Sequence, residues 1–367
     1  MSERVRIGIV GLGFGAEFIP IYQRHPDAEM LAICQRNEET LHQIGDAFGV
    51  ERRYTSYAEM LADPDLDAVH INTPIPDHAP QTLAGLRAGK HVACTVPMAT
   101  TVEECEQIVA TARDVGKNYM MMETVVFSRE FLYVQDLVRS GELGRIQFLR
   151  GAHQQEMAGW PGYWEGLPPM HYATHAVSPL LALAGKQAEY VHCLGSGQIS
   201  DELTGKYGSP FAVESALIKL RDSSLSAEIT RSLFETAREY VESFDVYGDK
   251  LSFEWEQVAG EHPVIHRGED ASRVEVPDYA DRLPEGIQRY TTKGVYDDDE
   301  NEHLSFTQGS GHGGSHPHLA HEFVRSIVEG RKPLVDEEIA GNWTCVGICA
   351  HESAMAGGKR VDLPTFD

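Results

Sequence analysis

Gly11-Leu12-Gly13-Phe14-Gly15-Ala16 is the stretch that most narrows what this chain can fold into. It follows Val5-Arg6-Ile7-Gly8-Ile9-Val10, which has the pattern of a buried strand, and it precedes a helical stretch running through about Gln23. A G-x-G-x-x-G/A turn between a strand and a helix has a mechanical reading. The first glycine permits the tight turn, the second lets a pyrophosphate approach the backbone, and a small residue in sixth place lets helix and strand pack closely. The helix N-terminus then faces the phosphates. A second strand at Met30-Leu31-Ala32-Ile33-Cys34 completes a βαβ unit.

The alternation continues with helices near 38–48, 57–62, 80–88 and 102–115, and strands at 68–72, 91–94 and 118–123. Such alternation predicts a parallel sheet with helices on both faces. After about Val125 strands follow strands: beyond a helix near 130–139, strand-like segments occur at 145–153, 188–196, 212–220, 224–232 and 241–248. The expectation is an α/β chain of two domains. A dinucleotide-binding domain covers 1–125, and a largely antiparallel α+β domain covers 126–367. Residues 257–315, rich in Pro, Gly, Asp and Glu and including Asp297-Asp298-Asp299-Glu300-Asn301-Glu302, read as solvated loops, and helices near 317–329 and 337–356 close the chain.

Composition excludes several classes of function. The formal charge of −25 would repel a phosphate backbone, so nucleic acid is not an expected partner. No apolar run approaches the roughly 20 residues of a membrane span. The opening Met1-Ser2-Glu3-Arg4-Val5-Arg6 shows no secretory pattern, which predicts a cytoplasmic chain. The six cysteines lack any C-x-x-C pair and read as reduced, buried thiols, so no metal is expected on them.

An acidic residue about 20 positions after the glycines commonly binds the ribose 2′-hydroxyl. Here Gln35-Arg36-Asn37 follow the second strand, and Arg36 can stack on adenine or pair with a 2′-phosphate. The residues therefore leave NAD and NADP both open.

Gly11-Leu12-Gly13-Phe14-Gly15, Asn72-Thr73-Pro74 with His78, Ala88-Gly89-Lys90-His91-Val92 and Ser140-Gly141-Glu142-Leu143-Gly144 together make the first 150 residues or so resemble the Gfo/Idh/MocA oxidoreductases. The resemblance implies a Rossmann domain and a second domain with a large open sheet that binds substrate and mediates oligomerisation, the final segment returning to the first domain. It also implies NAD as the cofactor, a homo-oligomer (dimer or tetramer), and a cofactor site drawn from Gly11, Gly13, Phe14, Gly15, Gln35, Arg36, Asn72, Thr73, Pro74, His78, Thr95, Val96, Pro97 and Glu123.

The dehydrogenases of that family carry Glu-Lys-Pro where this chain has Thr95-Val96-Pro97. Valine has neither the charge nor the donor of lysine. The family's NAD-dependent glycoside hydrolases, such as the α-N-acetylgalactosaminidases, are more similar: the shared features here are Val96-Pro97, Met120-Met121-Met122-Glu123, Tyr172-Ala173-Thr174-His175 and His312-Gly313-Gly314. This resemblance implies a glycosidase that oxidises a sugar hydroxyl at C3, eliminates the aglycone, adds water and returns the hydride. A sulfoquinovoside or another hexoside is the expected substrate class. The alternatives are a sugar 3-dehydrogenase and a non-catalytic dinucleotide sensor.

Such chemistry needs a base near neutral pKa and a donor for the enolate. His175 and Tyr172, at i and i+3, can share one helix face and supply both. Glu123 stands at the end of a strand where ligands bind in open α/β sheets. Trp160, Trp164, His171, His312, His316 and His318 are the substrate-binding candidates, His318 and His321 as possible donors to an anionic group. The histidine cluster invites a metal reading, but hydride chemistry needs none, and no metal is expected.

Overall fold

The computed structural model describes residues 4–238, 240–292 and 312–366. The acidic run 297–302 and Gly309-Ser310-Gly311 lie outside the described residues. Contacts divide the chain into two compact units, Met1–Ser128 with Asp278–Gly341, and Arg129–Pro277 with Asn342–Asp367.

The first unit is built on β1 (Val5–Val10), β2 (Ala28–Cys34), β3 (Arg52–Tyr54), β4 (Ala68–Ile71), β5 (His91–Thr95) and β6 (Tyr119–Met122). They form one sheet in the order β3-β2-β1-β4-β5-β6, parallel throughout. β4 and β6 are buried along their whole length, which is why they read as continuous apolar runs. β3 escapes a periodicity reading because it is three half-buried residues, two of them arginines. Strand order reverses direction at β1, whose neighbours are β2 and β4. Crevices at such switch points hold ligands beyond the carboxyl ends of the strands, and both the glycine turn after β1 and Asn72-Thr73-Pro74 after β4 stand there. Helix Val102–Val115 shows why its limits are legible. Thr101 and Glu104 form a capping box at its start, and Gly116 ends it at φ 63°.

The second unit carries β7 (Ile146–Gln154), β8 (Ala188–Ser196), β9 (Val213–Leu220), β10 (Ser226–Ser232), β11 (Val241–Gly248), β12 (Ser252–Glu254), β13 (Val264–Arg267), β14 (Asp270–Arg273) and β15 (Val361–Asp362). Their order is β14-β13-β12-β11-β7-β10-β9-β8-β15, antiparallel except where β7 and β10 run parallel. The β13–β14 hairpin corrects the loop reading of 257–315. β14 is exposed at every position and carries Asp270-Ala271-Ser272-Arg273, so no apolar alternation marks it.

Inward positions alternate along these strands, with Leu149, Gly151 and His153 on β7 and Ala227, Ile229 and Arg231 on β10 all buried. Helix Thr174–Ala184 packs on this face. It lies so close that a Cβ at Gly151 would sit 2.1 Å from the carbonyl oxygen of Ala176.

Among the described residues no helix is long and apolar enough to cross a membrane, no group of three metal-ligating side chains assembles, and the six cysteines are buried and in no disulfide.

Candidate cofactor and acid–base sites

The first unit shapes a cradle at the glycine turn. Gly11 has φ 85°, and a Cβ there would fall 2.5 Å from the carbonyl oxygen of Asn72; at Gly15 a Cβ would meet Cγ2 of Ile9 at 2.8 Å. Gly13 differs, for it is exposed and a Cβ on it would meet nothing within 4 Å. The protein's own packing does not require glycine at 13. A pyrophosphate lying against the bare backbone does, and the residues present fit a dinucleotide. The helical stretch beyond is three pieces, Leu12–Gly15, a 3₁₀ turn Ala16–Phe18 and Ile19–Arg24.

The remaining cofactor candidates form a hydrogen-bonded group beside the turn. His78 lies fully buried with Nδ1 2.8 Å from the Pro97 carbonyl and Nε2 2.8 Å from that of Thr73. Burial lowers its pKa against the pull of those two carbonyls. Thr95 Oγ1 donates to the Ile71 carbonyl at 3.2 Å, and Thr73 Oγ1 donates to Gln81 at 2.8 Å. Val96 is buried and its peptide to Pro97 is cis. Gln35 is half-buried and Arg36 exposed at the end of β2. Glu123 is fully buried just past β6, where Oε1 accepts from the Val125 amide at 3.1 Å and caps the turn Val125–Phe127.

In the second unit Tyr172 and His175 do meet, though not on one helix. Tyr172 ends the 3₁₀ turn Pro169–Tyr172, Ala173 leaves helical geometry at φ −103° and ψ 1°, and His175 sits in the first turn of the next helix. Their side chains converge nonetheless, His175 Nε2 lying 3.3 Å from the Tyr172 hydroxyl. The same nitrogen lies 3.5 Å from Oε1 of Glu242, and Tyr240 donates its hydroxyl to that carboxylate oxygen. All of this is enclosed, since Tyr172, His175 and Glu242 are each buried.

Three members of this cluster were not singled out from the sequence. Glu242, His153 and Arg231 are register partners across β11, β7 and β10, and Glu214 extends the row onto β9. Arg231 is fully buried. Its Nε donates to the Tyr172 carbonyl at 2.8 Å, Nη1 to the His153 carbonyl at 3.0 Å and to that of Ser232, and Nη2 to Gln155 at 3.2 Å. Its guanidinium also lies 5.3 Å from the Tyr172 ring centroid. Burial pulls its pKa down to about 9, so it stays cationic at neutral pH. The signal was available: the Ala227, Ile229 phase puts Arg231 inside, and the Leu149, Gly151 phase puts His153 there.

The tryptophans and His171 take neighbouring places. Trp164 is buried with its ring edge-on to Tyr172 at 4.8 Å, and half-buried Trp160 is edge-on to Trp164 at 6.1 Å. His171 faces His351 at 4.9 Å, and burial with that neighbour's charge lowers its pKa to about 4. His351 in turn donates from Nδ1 to Glu214 at 2.7 Å.

The histidine-rich segment belongs to the first unit. His316 Nδ1 lies 3.1 Å from Oε2 of Glu17, and His316 Nε2 lies 3.1 Å from Nδ1 of His312. Both rings meet Phe14 of the glycine turn edge-on, at 5.5 and 5.8 Å. His318 and His321 are placed differently. Burial first, then His321 and Arg282, lower the pKa of His318 to about 4, and His321 shares a 2.9 Å hydrogen bond with His25.

Residues 5–123 match the family described as an oxidoreductase family with an NAD-binding Rossmann fold. Over this segment the chain is similar to the Gfo/Idh/MocA oxidoreductases. NAD is thus the cofactor of the family that this segment matches. Relatives of this chain include a glycosyl hydrolase family 109 protein of Shewanella baltica, 30% identical over 260 residues, which are 64% of this chain and 56% of the relative. An alpha-N-acetylgalactosaminidase of Shewanella oneidensis is 29% identical over 63% of this chain and 56% of its own length. The chain therefore spans little more than half the length of these curated relatives. Among solved structures, a levoglucosan dehydrogenase in complex with NADH matches 99% of this chain and 100% of its own, with a TM-score of 0.81 at 20% identity, a likeness of fold.

Proposed function

We propose that this protein is an NAD-dependent glycosidase that borrows a hydride from a sugar and returns it. The observation that carries the reading is the enclosed cluster in which His175 Nε2 stands 3.3 Å from the Tyr172 hydroxyl and 3.5 Å from Glu242. Val96, in place of a lysine, and the family 109 relatives support it.

Bound NAD supplies the oxidation of a C3 hydroxyl to a ketone, which acidifies the proton on C2, and later the reduction that restores the hydroxyl. His175 is the base that takes the C2 proton, and the Glu242 carboxylate beside it stabilises the imidazolium that results. The electron pair released from C2–H passes into the C1–C2 bond as the C1–O bond breaks, and the aglycone leaves. Tyr172 donates its hydroxyl to the developing enolate oxygen, a role that needs its backbone fixed, as Arg231 fixes it. His153 and Trp164 wall the cluster and keep water out. The cofactor candidates Asn72, Thr73, His78 and Thr95 hold the turn beside Gly11, and Glu123 fixes the backbone beyond β6.

The substrate class is a hexoside. A sulfonated sugar calls for cationic partners, and His318 and His321 do not furnish them, the first held neutral by burial and the second occupied by His25.

The test is incubation of the purified protein with a panel of nitrophenyl glycosides and catalytic NAD in deuterated water. Nitrophenol release without lasting NADH, with deuterium at C2 of the sugar, is the expected result. Stoichiometric NADH with a keto product would make the protein a sugar 3-dehydrogenase, and cofactor binding with neither outcome would make it a dinucleotide sensor.

A further inference from the structure

Breaking a glycosidic bond at C1 and adding water there moves two protons besides the one on C2: the departing oxygen gains one and the water loses one. The His175 step supplies neither. Both transfers call for a group that borders solvent, because the aglycone leaves to solvent and the water arrives from it, whereas Tyr172, His175 and Glu242 are all buried.

The second unit holds another histidine–carboxylate pair, and it grips the turn that carries Tyr172. Glu214 of β9 is fully buried with both oxygens engaged: Oε2 accepts from the Met170 amide at 2.8 Å, and Oε1 accepts from Nδ1 of His351 at 2.7 Å. A carboxylate only accepts, so Nδ1 keeps its proton whether the ring is neutral or cationic, and Nε2 is the position that exchanges. His351 comes from helix Glu337–Met355, packed so tightly on the turn Pro169–Tyr172 that a Cβ at Gly347 would sit 2.1 Å from the Met170 carbonyl oxygen. The His351 side chain is 14% exposed and that of Glu214 0%, so the pair has a buried end and an end that meets solvent. The groups facing it do not compete for its proton. His171, edge-on to His351 at 4.9 Å, is held neutral by burial and by that neighbour's charge. Burial likewise keeps the Cys193 thiol on β8 protonated beside Glu214, and Arg231 on β10, the register partner of Glu214, is cationic.

We infer that His351 is the catalytic acid and base for the aglycone and the water, with Glu214 as the positioning residue that fixes its ring. This inference rests on the glycosidase reading and assigns the two proton transfers which that reading leaves open. As the C1–O bond breaks, its electron pair goes to the departing oxygen, which takes the proton from Nε2 of the His351 imidazolium. Neutral His351 then takes a proton from water while the water oxygen bonds to C1. The C1–C2 π pair shifts onto C2 and into the enolate, and the His175 imidazolium returns its proton to C2. Both histidines end as they began, with one glycosidic bond broken and one water consumed. Whenever the His351 ring is cationic, the Glu214 carboxylate offsets its charge.

Nitrophenolate departs without a proton and methoxide does not, so two leaving groups on one sugar separate His351 from the rest of the site. In single-turnover mixing with the NAD-loaded protein, His351→Gln, whose amide still donates to Glu214, is expected to slow methanol release by about 10²- to 10⁴-fold and first-turnover nitrophenol release by about tenfold at most. Glu214→Gln is expected to move the alkaline limb of the methyl-glycoside kcat/KM profile to lower pH, since an imidazolium without its carboxylate gives up the proton more easily. Parent-like methanol release in His351→Gln overturns this inference alone. An equal loss with both leaving groups also overturns it, being the mark of a structural role. If the parent protein incorporates no deuterium at C2 from either glycoside, the glycosidase reading falls and this inference falls with it.

Discussion

Arg231 and Tyr172 are joined twice, by the 2.8 Å bond from the guanidinium Nε to the tyrosine carbonyl and by the stacking of that cation 5.3 Å from the ring centroid. The strand that carries Arg231 thus fixes the turn that carries the hydroxyl facing His175. Removing the cation leaves the Glu242 side of the row uncompensated and several carbonyls without a donor. Arg231→Met is expected to lower unfolding free energy by about 3–5 kcal/mol. Arg231→Lys, which keeps charge but loses the planar fork, should retain the fold and lose about tenfold or more in kcat with little change in NAD affinity. Urea melts and cofactor titrations measure both.

Gly13 and Gly11 separate cofactor binding from folding. A methyl group on Gly13 meets no protein atom, whereas one on Gly11 would fall 2.5 Å from the Asn72 carbonyl oxygen. Gly13→Ala should melt within a degree or two of the parent and bind NAD at least tenfold more weakly. Gly11→Ala should lose both affinity and thermal stability, since its φ of 85° penalises any side chain. Calorimetry with and without NAD distinguishes the two patterns, and unchanged affinity in Gly13→Ala would show that no phosphate lies against that backbone.

Gly151 sets how near the His175 helix approaches β7. A Cβ there would lie 2.1 Å from the Ala176 carbonyl oxygen, so Gly151→Ala must push the helix outward. The expected cost is about 1–3 kcal/mol of stability. Turnover should fall about 10²-fold as His175 shifts from Glu242. A melt and a progress curve on the same sample check whether the two losses occur together.

Acid should destabilise the fold before most carboxylates titrate. Burial lowers His70 to about 3 and His25, His91, His171 and His318 to about 4, from an ordinary value of 6.5. Neighbouring charge adds to the effect, His316 for His70, His321 for His25, Lys117 for His91 and His351 for His171. These groups bind more protons unfolded than folded between those values, so the stability they confer is complete above pH 6.5 and drains away as pH falls toward 4. The urea midpoint should therefore drop steeply between pH 7 and pH 5, and a flat midpoint across that range would refute neutral burial of these rings.

The first unit was legible because its signals are local. Glycines at fixed spacing, a capping box at Thr101 and Glu104, and uniformly apolar strands each announce themselves within a few residues. The acid–base cluster was half legible. Tyr172 and His175 are close in sequence, but Glu242 reaches His175 only through the parallel pairing of β7 with β10 and the antiparallel pairing of β7 with β11, which no local pattern shows. Glu17 was passed over for a related reason: its partner His316 lies some 300 residues away. The β13–β14 hairpin was missed because its outer strand is exposed and has no apolar face to betray it.

The transverse row Glu242, His153, Arg231 and Glu214 also acts as a registration mark for the second sheet. A slip of one residue in β10 would turn Arg231 to solvent and bury Thr230 opposite His153, breaking the three hydrogen bonds to Tyr172, His153 and Gln155 at once and stranding Glu214 beside it. Misaligned pairings of these strands are thereby penalised by the same side chains that frame the chemistry, so a sequence drifting at this row would lose its strand alignment along with its activity.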